Sequence, residues 1–171
     1  MERTVCKNYI YRGKILNLRR DDVVANDRNT VREVVEHRGG CAIFCVKDER
    51  VLLVRQYRYV YGEEVIEIPA GKVEEGEDIS VTAARELSEE TGYVADSVRL
   101  LYTIYPTPGY TNEKLYIFTA DGLKEGVAHP DAGEDLSAFW LPVAEALKMI
   151  ETGEIKDGKT VIALLSYACG K

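Results

Sequence analysis

Residues 71–93, GKVEEGEDISVTAARELSEETGY, carry the groups in this chain best suited to chemistry. Asp78 is a good helix N-cap, Ile79 opens a predicted helix running to Thr91, and Gly92 stands where a left-handed C-terminal cap is wanted. On that helix Ile79, Ala83 and Leu87 recur every four residues and form the expected buried stripe. Glu86, Glu89 and Glu90 fall at i, i+3 and i+4, which predicts three carboxylates together on a neighbouring surface face. Like charges at that spacing cost roughly 0.2–0.5 kcal/mol per pair. They also sit in the last turns, where the helix dipole prefers cations. A divalent cation would reverse the sign of both effects. Oxygen ligands without nearby His or Cys point to Mg²⁺ or Mn²⁺ rather than zinc. The plain alternative is a solvated helix face.

The spacing around the glutamates narrows the choice. Gly71, five residues, Glu77, seven residues, then Arg85-Glu86-Leu87-Ser88-Glu89-Glu90-Thr91-Gly92 resembles the full signature of the Nudix hydrolases. Only the final apolar position departs from it, with Tyr93 where an aliphatic residue is usual. The resemblance implies hydrolysis of a nucleoside diphosphate linked to another moiety, with divalent metal held by the glutamates. It implies Glu86 and Glu90 as metal ligands and Glu89 as a further ligand or support. Arg85 would orient the cluster through charge-assisted hydrogen bonds.

The rest of the composition agrees with such an enzyme. A chain of 171 residues with 46% hydrophobic residues suits one domain, or one domain with a small appendage. The net charge of −7 supplies no basic stripe for a nucleic-acid backbone. No signal segment and no membrane-length apolar run is present, so a soluble cytoplasmic protein without nucleic-acid or membrane partners is expected. Cys6, Cys41, Cys45 and Cys169 contain no CxxC pair and read as small buried hydrophobes kept reduced. His37 and His129 form no metal pattern and are given no role.

Several elements must position the glutamates. Residues 4–10, 13–24 and 30–37 read as three antiparallel strands, with turns at Arg12-Gly13 and at 25–28. Gly39-Gly40 marks a joint, giving an N-terminal β unit over 1–39 and a main domain over 40–171. A hairpin follows, 41–46 and 51–59, in which Val51-Leu52-Leu53-Val54 should be buried on both faces. Arg55-Gln56-Tyr57-Arg58-Tyr59 at its end could hold phosphate and stack a base, or could simply be solvated. Val65–Ile68 is a strand leading to a Pro69-Ala70-Gly71 loop. After the box come strands 97–105, 114–120 and 137–141, with a polar loop over 121–135. Pro142 opens a helix that Gly153 ends, and a last helix over 159–168 reads as core packing without chemistry. Such an order is α/β (α+β), a mixed sheet between helices, and the resemblance implies the Nudix α/β/α sandwich.

Outside the box, VRQYRY, EIPAG and PTPGYTNEKLYIF resemble the ADP-ribose pyrophosphatase branch, and Pro108 lies 16 residues beyond Gly92 as in that group. The resemblance implies ADP-ribose as substrate, cleaved to AMP and ribose 5-phosphate, and a homodimer that exchanges its N-terminal strands. It implies substrate contacts from Arg58, Glu67, Pro108 and, across the dimer, Arg32. The carbonyl of Ala70 is a further implied metal ligand. The general base falls to Glu134 or to a box glutamate, since Ala132 stands where some relatives have a second acid. The 152–160 tail also resembles GDP-mannose hydrolases. A module that senses a nucleotide without cleaving it is the alternative of another class, although such modules usually lose box glutamates.

Overall fold

The computed structural model describes residues 1–130 and 135–170. The chain divides into two compact units, Met1–Gly39 with Tyr105–Lys114, and Gly40–Ile104 with Leu115–Lys171.

In the first unit β1 (Glu2–Arg12), β2 (Leu16–Ala25) and β3 (Arg28–His37) form an antiparallel meander. Asn26 and Asp27, with φ of 49° and 59°, make the two-residue turn between β2 and β3. Both residue types tolerate a left-handed backbone, and that turn geometry matches strand twist. The strand expected from residue 13 begins at Leu16, because the Gly13 N–H turns back onto the Leu16 carbonyl at 3.0 Å. The segment around Pro108 lies along β3: Val35 N–H donates to the Tyr110 carbonyl at 2.8 Å, and Asn112 N–H to that of Val35 at 3.2 Å.

The second unit begins with β4 (Gly40–Phe44), β5 (Val46–Lys47) and β6 (Arg50–Arg58). Next come β7 (Glu63–Glu67), β8 (Ala70–Lys72) and the box helix α1 (Ile79–Thr91). Then follow β9 (Tyr93–Val94), β10 (Ser97–Ile104), β11 (Leu115–Asp121), β12 (Lys124–Glu125) and β13 (Leu136–Pro142). Helices α2 (Val143–Thr152) and α3 (Gly158–Ala168) close the chain. One sheet runs β10-β11-β4-β8, with β11 and β4 parallel and the other pairs antiparallel. A second runs β13-β6-β5, with β7 also on β6.

Strand alternation builds two cores in this unit. Ala42, Phe44, Val51, Leu53 and Ile117 pack with Val143 and Ala146 of α2 and Ala163 and Leu164 of α3. Cys41, Ile43, Cys45, Leu52 and Phe118 pack with Ala83 and Leu87 of α1. Neighbouring residues of one strand thus serve opposite faces, as period two requires. Helices cover both faces, and the fold is the α/β/α sandwich with a mixed sheet. Val51 to Val54 are all buried, as a strand covered on both sides must be.

Three local expectations give way. Ala70 to Lys72 is not a loop but β8, paired antiparallel with β4, while the Pro69 carbonyl accepts from Ile43 N–H at 2.8 Å. Proline lacks a donor but keeps its acceptor, so it serves the ladder from one side. The stretch after Ala120 holds β12, paired with β9. Pro142 ends β13 with ψ of 133°, and the helix begins at Val143. The cysteines also divide. Cys41 and Cys45 are buried, and burial pushes both thiols up to about 12, whereas Cys6 and Cys169 are exposed.

Candidate active site

The box helix forms for local reasons. Asp78 accepts from Ser80 N–H at 2.8 Å, and Gly92 ends the helix with φ of 75° and its N–H on the Ser88 carbonyl. A side chain at Gly92 would be barred twice, by that φ and by Ala128 N at 2.8 Å from any Cβ. Ala83 and Leu87 form the buried stripe with Thr82, and Ile79 packs at its margin. The three glutamates are not equivalent members of one surface face. Glu90 is 5% exposed, and its Oε2 accepts from Ala70 N–H at 2.9 Å. Glu86 and Glu89 are half-buried. Glu90 stands three residues after Leu87 and seven after Ala83, so it continues the buried stripe to where α1 meets β8.

Gly71 explains the strand's approach. A Cβ there would lie 1.9 Å from Cδ of Glu86, so only glycine leaves the Glu86 carboxylate its seat against the backbone. Ala70–Gly71 therefore anchors Glu86 and Glu90 together, from 15 to 20 residues away in sequence.

Arg85 offsets the repulsion. Its Nε and Nη2 donate to the two oxygens of Glu77 at 3.0 and 3.1 Å, and Nη1 reaches Glu86 Oε1 at 2.9 Å and Glu89 Oε2 at 2.7 Å. Nη2 also donates to the Lys72 carbonyl at 3.3 Å. Such forked, charge-assisted contacts fix geometry as well as charge. Arg85, joined by a hydrogen bond from Thr82, holds the Glu77 carboxyl down at about 2. Glu77 raises the Arg85 guanidinium above its ordinary value in return.

One guanidinium against Glu77, Glu86, Glu89 and Glu90 leaves the cluster anionic. Its donors are all oxygen, which fits a hard divalent cation and neither zinc nor copper. Among the described residues no three acidic, imidazole or thiol groups converge to enclose an ion as they stand. Arg85 Nη1 lies between Glu86 and Glu89 and draws them to itself. Glu86 and Glu90, on their β8 seats, are the donors best placed to take a metal.

Arg58 and Glu67 end the paired strands β6 and β7. Arg58 Nε and Nη2 donate to Glu67 Oε1 and Oε2 at 2.5 and 2.8 Å. Lys159 Nζ meets the same Oε2 at 2.5 Å. Burial alone would raise the Glu67 carboxyl, but Arg58 and Lys159 more than offset it and the group stays below its ordinary value. Both Glu67 oxygens are thus held by cations of the protein. Arg58 is 38% exposed, and its bonds to Glu67 run through the Nε and Nη2 edge of its guanidinium.

Arg32 and Pro108 belong to the first unit, where Arg32 forms an ion pair with Glu2. Glu134 lies outside the described residues. Lys159 was missed by sequence reasoning, which assigned its helix to core packing. The available signal was a lysine in the first turn of a helix, where the dipole disfavours cations.

Comparison with known proteins is consistent with this geometry. The NUDIX domain model matches residues 36–164. The methanol dehydrogenase activator of Bacillus methanolicus is 39% identical over 95% of this chain and 90% of that protein. The ADP-ribose pyrophosphatase of Bacillus subtilis (strain 168) is 36% identical over the same shares of both chains. The GDP-mannose pyrophosphatase of Escherichia coli O1:K1 / APEC is 39% identical over 80% of this chain and 76% of its own. A crystallised ADP compounds hydrolase superposes with a TM-score of 0.84 over 96% of this chain and 90% of that one. At 22% identity it speaks for the fold alone. With the family model spanning three quarters of its length around an intact glutamate box, the chain belongs to the NUDIX family.

Proposed function

We propose that this NUDIX protein hydrolyses the diphosphate bond of nucleoside diphosphate sugars, and that ADP-ribose, cleaved to AMP and ribose 5-phosphate, is its best substrate. The observation that carries the reading is the seating of Glu86 and Glu90 on Ala70–Gly71, which gathers an anionic all-oxygen cluster at one end of α1. The resemblance of VRQYRY, EIPAG and PTPGYTNEKLYIF, and the Bacillus subtilis relative, favour ADP-ribose.

Glu86, Glu90 and the Ala70 carbonyl would hold a divalent cation, Mg²⁺ before Mn²⁺, with Glu89 as a further ligand or support. When bound, that ion supplies charge neutralisation on the diphosphate and activation of a water. Arg85 keeps Glu86 and Glu89 in register by its Nη1 bonds. Arg58 binds the diphosphate through its outer edge. Water attacks one phosphorus in line, the bridging P–O bond breaks, and the other phosphate leaves with that oxygen. Glu134 is the proposed proton acceptor for that water, with a box glutamate as the alternative. Support for Glu134 comes from the segment before it, where His129 N–H donates to the Glu89 carbonyl at 2.9 Å.

The N-terminal unit, residues 1–39, is proposed as a dimerisation element exchanged between subunits, with Arg32 and Pro108 contributing to substrate binding. All eleven residues of edge strand β1 are exposed, and an open groove of about 400 Å³ is lined by Val5, Val23 and Val31. Long exposed edges of this kind call for a covering partner.

Product analysis with Mg²⁺ on ADP-ribose, GDP-mannose and ADP-glucose tests the reading. AMP and ribose 5-phosphate appearing fastest from ADP-ribose is the expected result. A faster GDP-mannose reaction would move the substrate to the second reading, which the Escherichia coli relative favours. Tight nucleotide binding without turnover would favour a sensor. Arg58→Ala should raise KM about tenfold or more with little change in kcat, as loss of a charge-assisted contact worth about 1.5–3 kcal/mol requires. An unchanged KM would take Arg58 out of the substrate site.

A further inference from the structure

The N-terminus of α3 reaches the segment that enters the box. Asp157 caps the helix, its Oδ2 accepting from Thr160 N–H at 3.0 Å and from Thr160 Oγ1–H at 2.6 Å. Thr160 Oγ1 in turn accepts from Ile68 N–H at 2.8 Å, a fully buried bond. Lys159, only 9% exposed, places Nζ on Glu67 Oε2 and, at 3.0 Å, on Asp157 Oδ1. Consecutive residues of α3 therefore grip consecutive residues of the strand end, Lys159 on Glu67 and Thr160 on Ile68. Ala70, which holds Glu90, stands two residues further on.

A buried lysine in the first turn of a helix is costly on two counts, desolvation and the dipole. Core packing would be served better by leucine or methionine at that place. Asp157 needs no lysine to cap the helix, since Thr160 N–H and the dipole suffice. The group that needs the ammonium is Glu67, which is 3% exposed and, among the described residues, has Arg58 as its other cationic partner.

From this we infer that Lys159 is a positioning residue for substrate: it shares the charge of Glu67 and so leaves Arg58 both oriented and electrostatically available to the diphosphate. The inference rests on the proposed reading of Arg58 as the diphosphate contact. With Lys159 present, Arg58, Lys159, Glu67 and Asp157 sum to zero formal charge. Without it the group carries one net negative charge, and Glu67 neutralises Arg58 alone. An anionic substrate would then meet an Arg58 whose charge Glu67 cancels, a binding defect rather than a chemical one.

Lys159→Met, Lys159→Arg and Arg58→Ala, with the Lys159→Met/Arg58→Ala double variant, test it by steady-state kinetics on ADP-ribose with Mg²⁺. Lys159→Met should raise KM about tenfold with kcat within about threefold of wild type. Lys159→Arg should recover most of that loss. In the Arg58→Ala background Lys159→Met should change KM by less than about twofold, because its effect runs through Arg58. Multiplicative losses in the double variant, or equal loss from Lys159→Arg and Lys159→Met, would overturn the inference and leave a structural lysine. If wild-type protein turns over none of the nucleotide sugars, the functional reading has failed. The side-chain Nε–Hε resonance of Arg58 then decides the inference without substrate. A shift in Lys159→Met that Lys159→Arg does not show upholds the linkage. Identical resonances in wild type and Lys159→Met overturn it.

Discussion

Glu90→Gln is expected to lower kcat by about a hundred- to a thousand-fold while the melting temperature stays close to that of the parent. A metal clamp on a diphosphate contributes several kcal/mol to the transition state, and each 1.36 kcal/mol is about a factor of ten. Glutamine keeps an oxygen that can accept the Ala70 N–H now bound to Glu90 Oε2, so β8 stays anchored to α1. What it removes is the negative charge. Because Glu90 is 5% exposed, an apolar substitution would confound the result by stranding that N–H. The check is turnover across a Mg²⁺ titration, with thermal unfolding as the control. Near-normal turnover at saturating Mg²⁺ would take Glu90 out of the metal site.

Gly71→Ala should be nearly as damaging, through one methyl group. The backbone at this position is open to alanine, but the new Cβ would lie 1.9–2.1 Å from the Glu86 carboxyl atoms. That carboxylate must leave its seat by an ångström or more, and misplacement on this scale costs about 10²-fold in catalysis. The side chain is flexible and reaches solvent, so folding should survive. Glu86→Asp provides the internal control. The shorter side chain withdraws from Gly71, costing activity by itself, and Gly71→Ala added to it should then cost little more. Losses that multiply in the double variant would show that Gly71 acts otherwise than as the seat of Glu86.

Both results depend on contacts of different legibility. The hairpin turns at 26–27 and 48–49 were readable because Asn, Asp and their neighbours mark positive φ, which Asn26, Asp27, Asp48 and Glu49 adopt. The box helix was readable to the residue, since Asp78 and Gly92 punctuate it by local hydrogen bonds. The strand β8 was not. Its Pro-Ala-Gly composition is that of a turn, and only pairing with β4 makes it a strand. Tyr93, the departure from the usual box, also finds its reason at long range. Its hydroxyl accepts from Trp140 Nε1 at 3.0 Å, and the rings meet edge to face.

Sequence alone determined the family, the capped helix and the set of acidic residues along it, because these depend on spacing within one segment. Helical periodicity brings Arg85 within reach of Glu89, four residues on, whatever the rest of the chain does. Tertiary structure decided which of those acids is buried, why residue 71 has no side chain, and that Lys159 serves Glu67 from 92 positions away. Burial and charge pairing are properties of whatever packs against a face. Here that partner comes from β8 for α1 and from α3 for the end of β7, segments whose own patterns announce a turn and a core helix.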